Sequence, residues 1–431
     1  MPHAFPVTIR RAALAAIVLS VATAPAVGAR QAVTPGPLGS ALAAWTTAHP
    51  ATSAAVWRLD AGEPVEVLAY KPTTPRRPAS VMKIVTAASA LLALSPEFQF
   101  ETRLYAGAAA TQTGHVLTGP LYLKGYGDPT LASAGYSRRY LDGAAGAIAK
   151  LVRPLRDAGV TTLNGPIVVD ETFFDGLRRV PSWPARYTAE CQPLSGMTVN
   201  QGYLGDLRRR YVKRPAQAAG IRLRLAMRSI GMRQAGAVRA GPAPSQGRLI
   251  ATVKSPPLKT ITALMLPDSD NFLAEMLTKN VGAYARGTGS TAAGTAHAKT
   301  LLGGLGLLDP TDRLEDGSGL GLLNRLTAAS LVRILAAADA EPTWGDPLID
   351  ALPTGGTGTL KRRFREAGLR SRVHAKTGYI SGTSTLAGIV DSTGGSRYAF
   401  AIMMNQGSIS GAKATQDEIV TLLASGIADT V

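Results

Sequence analysis

The sequence is expected to adopt a mixed α/β (α+β) fold, with which three observations on its pattern of elements agree. Strand-like runs paired around tight turns stand near both ends of the folded part: Ser53 to Leu59 with Pro64 to Tyr70, and Thr385 to Asp391 with Arg397 to Asn405. Long apolar runs of helical texture lie between these hairpins, and another closes the chain. The middle, from about residue 97 to 254, consists of short strand-like runs broken by Gly and Pro.

Taken in order, Arg10 and Arg11 precede an apolar run from Ala12 to Ala24, followed by Pro25 and the small residues Ala26-Val27-Gly28-Ala29. That order is expected of a secretory signal over residues 1–29, cleaved after Ala29 or Ala26. An uncleaved anchor is the alternative, but the run is shorter than the ~20 residues a bilayer span needs. A Pro/Gly-bearing linker, Val33 to Gly39, leads to the first hairpin, which turns at Asp60-Ala61-Gly62. Pro78 and Ala79 then introduce Ser80, Val81, Met82, Lys83 and an apolar series to Leu94, stopped by Pro96, which predicts a buried helix with the serine in its first turn. Strands are expected at Pro120 to Lys124 and Pro166 to Asp170. Helical texture returns at Asn271 to Gly282, Thr291 to Gly303 and Ala328 to Ala338. The turn Thr393-Gly394-Gly395 makes the last hairpin, and Ala414 to Ala424 supplies a closing helix.

With 431 residues, 45% hydrophobic and 17% charged, the chain can bury more than one core and is not disordered. Its single cysteine, Cys191, excludes an internal disulfide, so stability comes from packing. The net charge of +17 suits a polyanion. In an exported protein that means an anionic wall polymer or a membrane surface rather than nucleic acid. Arg208, Arg209, Arg210, Lys213 and Arg214 are the densest cluster, and a merely solvated face explains them as well.

Chemistry begins with Ser80 and Lys83. Three apart on a helix, their side chains rise from one face within hydrogen-bonding range. A serine hydroxyl attacks poorly until a base takes its proton, and a desolvated lysine beside another cation is neutral enough to do so. Alone, the spacing also fits a helix cap and a surface lysine. Its companions make it specific: Ser269-Asp270-Asn271 just before a helix, and Lys376-Thr377-Gly378 on a strand leading into the last hairpin. The five histidines, His3, His49, His115, His297 and His374, show no metal-binding spacing, and no Gly-x-Ser-x-Gly elbow is present. His374 beside the third motif reads as a packing or surface residue. Gly355-Gly356-Thr357-Gly358 lacks the lysine of a phosphate loop and reads as a turn.

In these three motifs the sequence resembles the low-molecular-mass class C penicillin-binding proteins, D-alanyl-D-alanine carboxypeptidases/endopeptidases with a large insert between the first two motifs. The likeness extends to Gly125-Tyr126-Gly127-Asp128-Pro129-Thr130-Leu131, the Gly165 to Asp170 strand, Ser255-Pro256-Pro257-Leu258, Ala274-Glu275, Asp316-Gly317-Ser318-Gly319-Leu320 and Asn324. The wide gap from Lys83 to Ser269 sets the chain apart from most β-lactamases. The resemblance implies a penicillin-binding/β-lactamase-like serine transpeptidase domain, an antiparallel sheet between helices, from residues 36–96 and 255–431. Residues 97–254 are then a β-rich insert of one or two lobes beside the site.

It further implies Ser80 as nucleophile, Lys83 as base, Ser269 as proton relay and Asn271 as binder of the substrate amide. Lys376 would keep Lys83 neutral and, with Thr377, attract the terminal carboxylate, while the Ser80 and Tyr379 backbone N–H groups would form the oxyanion hole. Expected partners are peptidoglycan stem peptides and β-lactam antibiotics, with no cofactor or metal. Two positions depart from the pattern. Gly321-Leu322-Leu323 lacks an arginine that some relatives aim at the peptide's side-chain carboxylate, and Tyr379 stands where a small hydroxyl residue is usual, with Ser381 a substitute. Asp170 matches an acidic position that meets an amine on the peptide, or else caps a turn at its strand's end. A β-lactamase or esterase on the same fold, and a wall-binding protein with a silent site, are the rival functions.

Overall fold

The structure, a computed structural model, describes residues 36–60 and 62–429. The expected signal over 1–29, the first residues of the linker and Ala61 in the first turn lie outside them.

One sheet organises the part that carries the three motifs. It comprises β1 (Thr52–Arg58), β2 (Val65–Tyr70), β3 (Val373–Ile380), β4 (Thr383–Asp391) and β5 (Arg397–Met404), in the order β3-β4-β5-β1-β2, antiparallel throughout. The period-two alternation of its strands separates two faces. Val373, Ala375, Leu386, Phe400, Ile402 and Val56 face the helices α1 (Pro37–Thr46) and, at the C-terminus, Ile409–Ala424. Ala387, Ile389, Ala399, Ala401 and Ala55 face the opposite way, where the four alanines leave room for α2 (Met82–Leu94) and the later helices Asn271–Arg286 and Ala328–Ala340. Because α2 is apolar on almost every side, nearly all of it is buried.

Residues 101–254 build two further sheets. Five strands run in the order Val238–Ala240, Ile167–Asp170, Leu121–Gly125, Glu101–Ala106, Arg248–Lys254, and four short ones run Thr111–Thr113, Val116–Thr118, Thr162–Asn164, Arg233–Gln234. Against the larger sheet packs α3 (Pro215–Ser229), burying Ala216, Ala219 and Leu223 on one stripe. Its arginine-rich outer face concealed it in the sequence, where the region read as β throughout. No helix among the described residues is long and apolar enough to cross a membrane.

Candidate active site

Ser80 sits in a single 3-10 turn, Ala79–Val81, that feeds α2, so the helix itself begins at Met82. Ala79 takes a left-handed φ of 48°. Two glycines hold this turn. A side-chain carbon on Gly378 of β3 would come within 2.7 Å of Pro78 O and 3.0 Å of Ser80 N, and one on Gly319 would strike the Ala79 carbonyl. Thr385 of β4 donates to Pro78 O at 2.7 Å. The serine's backbone is thus clasped between the edge strand and the 316–320 loop, and only glycine fits at the two contact points.

Lys83 is fully buried one turn further on. Its Nζ donates to Ser80 Oγ at 3.2 Å, Asn271 Oδ1 at 2.7 Å and Ser318 O at 2.7 Å, the full complement of an ammonium. Burial pushes its pKa down to about 8, against the upward pull of Asp316, Glu275 and Asp270. Lys376 is equally buried but donates only to Thr377 O at 2.9 Å. Burial first, and then the charge of Lys83, hold it well below the ordinary lysine range.

Two buried carboxyl groups support this pair from beneath. Glu275 Oε1 accepts the N–H groups of Gly317 and Ser318, at 3.1 and 2.8 Å. Asp316 accepts from Gly319 N, Asn324 Nδ2, Gly321 N and the Trp183 indole, all within 2.6–2.8 Å. Together they fix the loop whose Ser318 carbonyl meets Lys83. Burial, then the neighbouring Asp316 charge, raises the Glu275 carboxyl to about 8. In the sequence these residues stand out only as points of likeness; Glu275 lies one turn after Asn271 on the helix Asn271–Arg286, but Asp316 is 41 positions further on, and that separation concealed their convergence under Lys83.

The second motif forms the bend between α4 (Leu258–Asp268) and α5 (Asn271–Arg286). Ser269 adopts the left-handed φ of 57° that reverses the chain, and Asp270 caps α5 through Leu273 N. The Ser269 hydroxyl makes no hydrogen bond to Ser80, Lys83 or Lys376 among the described residues, so the structure does not join it to the proton pathway. Asp270 is in turn held by Gln201 and, at 3.8 Å, by Arg208, whose guanidinium also lies over Tyr140 and donates to Tyr136. One member of the basic cluster therefore ties the insert to the second motif and does not stand in solvent.

The insert reaches the site a second time. Asn271 Nδ2, expected to meet the substrate amide, donates to Glu190 O at 2.9 Å, and Ser381 N, just past β3, donates to Tyr187 Oη at 3.2 Å. Residues 187–190 therefore span from α5 to the β3–β4 turn across the mouth of the site. Sequence reasoning missed this segment, because nothing in Tyr187-Thr188-Ala189-Glu190 resembles a motif. Tyr379 is 62% exposed at the same mouth.

Asp170 is not brought to the serine. It is 1% exposed, accepts from Thr172 N and Oγ1 and from Ala243 N, and pairs with Lys124 at 3.1 Å, all within the insert. No group of three or more His, Cys, Asp or Glu side chains is placed to hold a metal among the described residues.

Residues 39–205 and 206–425 match the family described as D-Ala-D-Ala carboxypeptidase 3 (S13). The chain belongs to that family. This S13 peptidase is a low-molecular-mass class C penicillin-binding protein, a serine hydrolase of the D-alanyl-D-alanine carboxypeptidase kind. It is 34% identical to a carboxypeptidase of Mycobacterium tuberculosis over 360 residues, 81% of this chain and 75% of that one. It is 30% identical to a D-alanyl-D-alanine carboxypeptidase of Actinomadura sp. over 427 residues, 80% and 76% of the two chains. The crystal structure of penicillin-binding protein 4 from Haemophilus influenzae shares the fold of this S13 peptidase, with a TM-score of 0.75, 22% identity and coverage of 90% of this chain and 99% of that one. The mixed fold with its antiparallel sheet is therefore the one the motifs implied.

Proposed function

We propose that this S13 peptidase works outside the cytoplasm on peptidoglycan stem peptides, with Ser80 as the nucleophile, and that penicillins acylate the same oxygen. The observation that carries this is the contact of Ser80 Oγ, Lys83 Nζ and Asn271 Oδ1, drawn from two motifs 188 positions apart in the chain.

The oxyanion is assigned to Ser80 N and Tyr379 N; a backbone donor of this kind typically contributes ~3 kcal/mol. Lys376 and Thr377 take the substrate's free carboxylate. The proton arrangement differs from the one the motifs suggested, in which a charged Lys376 keeps Lys83 neutral. In the resting site Lys83 has three acceptors and Lys376 one, so the charge resides on Lys83. A carboxylate arriving at Thr377 reverses the balance. It stabilises an ammonium on Lys376, and two buried ammonium groups cannot coexist cheaply, so Lys83 gives up its proton and becomes the base for Ser80. The nucleophile is then activated only when a substrate carboxylate is in place. Ser269, half-buried at the bend before Asn271, is assigned delivery of the proton to the departing amine, with water completing deacylation.

Asp170 is assigned a structural role, holding the end of its strand. Arg209, Arg210, Lys213 and Arg214 remain exposed, and the anionic wall polymer is assigned to these. The test of the whole reading is mass spectrometry after exposure to penicillin. A single adduct on the peptide bearing Ser80, absent in Ser80→Ala, is the expected result; an adduct that persists in the variant overturns it.

A further inference from the structure

The basic part of the insert carries exposed apolar side chains as well as charge. Between residues 201 and 250 the chain has eleven Lys and Arg and a single carboxylate, Asp206. Within that stretch stand five of the eleven exposed large apolar side chains among the described residues. They are Leu204, Leu207, Tyr211, Ile221 and Leu225, between 37% and 59% exposed.

The helix α3 sets out how charge and apolar surface are combined. Ala216, Ala219, Leu223 and Met227 are buried toward the insert's larger sheet. At 3.6 residues per turn, the opposite face is the line of Ile221, Leu225 and Arg228, all exposed, with Arg224 at its border. Neither Arg224 nor Arg228 has an ion-pair partner among the described residues. Arg222 fastens the preceding loop to this helix, donating to Leu204 O at 2.6 Å and standing 3.7 Å from Asp206. It therefore offsets the one carboxylate and holds Leu204 beside α3. The loop closes on itself, Leu204 N to Arg210 O and Val212 N to Gly202 O, both at 2.8 Å. Through Arg208 it is also tied to Asp270 of the second motif.

Apolar side chains set among unpaired arginines discriminate between occupants. A second copy of the chain would bring one cationic face against another, and repulsion opposes that. A hydrated anionic polymer would meet the arginines and leave Ile221 and Leu225 in water. An anionic lipid surface accepts both. An amphipathic helix lying in the interface buries its apolar line at the boundary of headgroups and acyl chains, while long arginine side chains reach back to the phosphates. With 15 residues and arginines on its outer face, α3 is suited to lie in that interface and is too short to span a bilayer.

We propose that the outer face of α3, with Leu204 beside it, docks this S13 peptidase onto an anionic lipid surface. Ile221 and Leu225 enter the interface, and Arg224 and Arg228 pair with headgroup phosphates. The cations assigned above to wall polymer, Arg209, Arg210, Lys213 and Arg214, flank this face on the preceding loop. Because that loop is tied to Asp270, docking sets the distance of the serine site from the bilayer.

The experiment places a tryptophan in the full chain at Leu225→Trp. The control is Leu249→Trp, an equally exposed leucine on the opposite edge strand of the same sheet. Each protein is mixed with vesicles of phosphatidylglycerol and phosphatidylcholine whose acyl chains carry bromine, and wild type gives the background of its four tryptophans. Bromine quenches only an indole that reaches the acyl chains, so attachment through another part of the chain gives no signal at position 225. The expected result is quenching about twofold or more stronger at Leu225→Trp than at Leu249→Trp. It should fall to the control level when Arg224→Gln and Arg228→Gln are added, and in vesicles of phosphatidylcholine alone. Absent quenching, equal quenching at the two positions, or quenching indifferent to the arginines and to phosphatidylglycerol overturns the docking face. So does binding of poly(glycerol phosphate) that needs Arg224 and Arg228 without any quenching, which would make the face a polymer site. Penicillin labelling of Ser80, expected to persist in every variant, checks folding. Its failure in wild type would remove the Ser80 assignment and leave the docking face standing.

Discussion

At the scale of single residues, the proposed mechanism depends on one lysine being a poor base at rest and a good one when substrate is bound. Lys83 donates three hydrogen bonds from a fully buried position, and burial lowers its pKa to about 8. Only the neutral amine can take the Ser80 proton. The bound carboxylate draws the Lys83 proton to Lys376, so the singly protonated pair present below about pH 8 is the competent form, and penicillin acylation is expected to hold there and to fall as pH rises through about 8 and the pair loses the proton Lys376 needs. Lys83→Arg keeps the charge and most of the volume but cannot become neutral, and should acylate at least about a thousandfold more slowly. Stopped-flow acylation across pH 6 to 10 checks both; a profile that stays flat through pH 8 would exclude the proton exchange, and near-native acylation in Lys83→Arg would exclude the general-base role. The Ser80–Lys83 pairing was legible in the sequence because three-residue spacing on a helix is a local rule. The direction of the proton balance was not, since it depends on Ser318 and Asn271, which are far away in the chain.

At the scale of elements, the segment containing Tyr187 and Glu190 lies across the mouth of the proposed site and is expected to limit entry. Glu190 O occupies the Asn271 amide donor, and Tyr187 Oη accepts from Ser381 N. A substrate amide must displace the first contact, and the second holds the segment in place. Tyr187→Phe removes one hydrogen bond worth about 1 kcal/mol. It should therefore raise the acylation rate of a bulky peptide or penicillin several-fold, with little change in thermal stability. Unchanged or slower acylation would mean that the segment belongs to the binding surface and does not obstruct it. The hairpins and the helices around the motifs were readable from alternation and apolar periodicity. This segment and α3 were not, because both owe their conformation to what they pack against: Trp183 to Asp316, and Ala216, Ala219 and Leu223 to the insert's sheet.

At the scale of the whole molecule, the insert is built around buried polar anchors, of which Asp170 is the clearest. Burial alone would raise its pKa. The Thr172 hydroxyl, the Ala243 and Thr172 N–H groups and Lys124 outweigh that and hold it below the usual carboxylate range. A carboxyl with a depressed folded-state pKa contributes stability above its unfolded value near ~3.9 and loses it as pH falls through the folded value. Asp170→Ala is expected to destabilise the protein by about 2–4 kcal/mol at neutral pH, an effect that shrinks below about pH 4, while penicillin still labels Ser80. Thermal melts at pH 7 and pH 3 with parallel labelling decide it. Lost labelling in a folded variant would return Asp170 to the substrate site.

The sequence by itself determined the chemistry, because Ser80 with Lys83, Ser269 to Asn271 and Lys376 to Gly378 are each local patterns whose spacing follows from helix, bend and strand geometry. Gly378 lies inside the third of these patterns, but its contact with the serine turn, and that of Gly319, follow from the fold. Only the tertiary structure decided which partners complete the site. Glu275 and Asp316 beneath Lys83 and the Glu190 carbonyl on Asn271 come from three separate stretches of chain. Their side chains carry no pattern of their own. They meet because α2, α5 and the edge of β3 pack around one buried lysine, and long-range packing of that kind has no signature in local spacing.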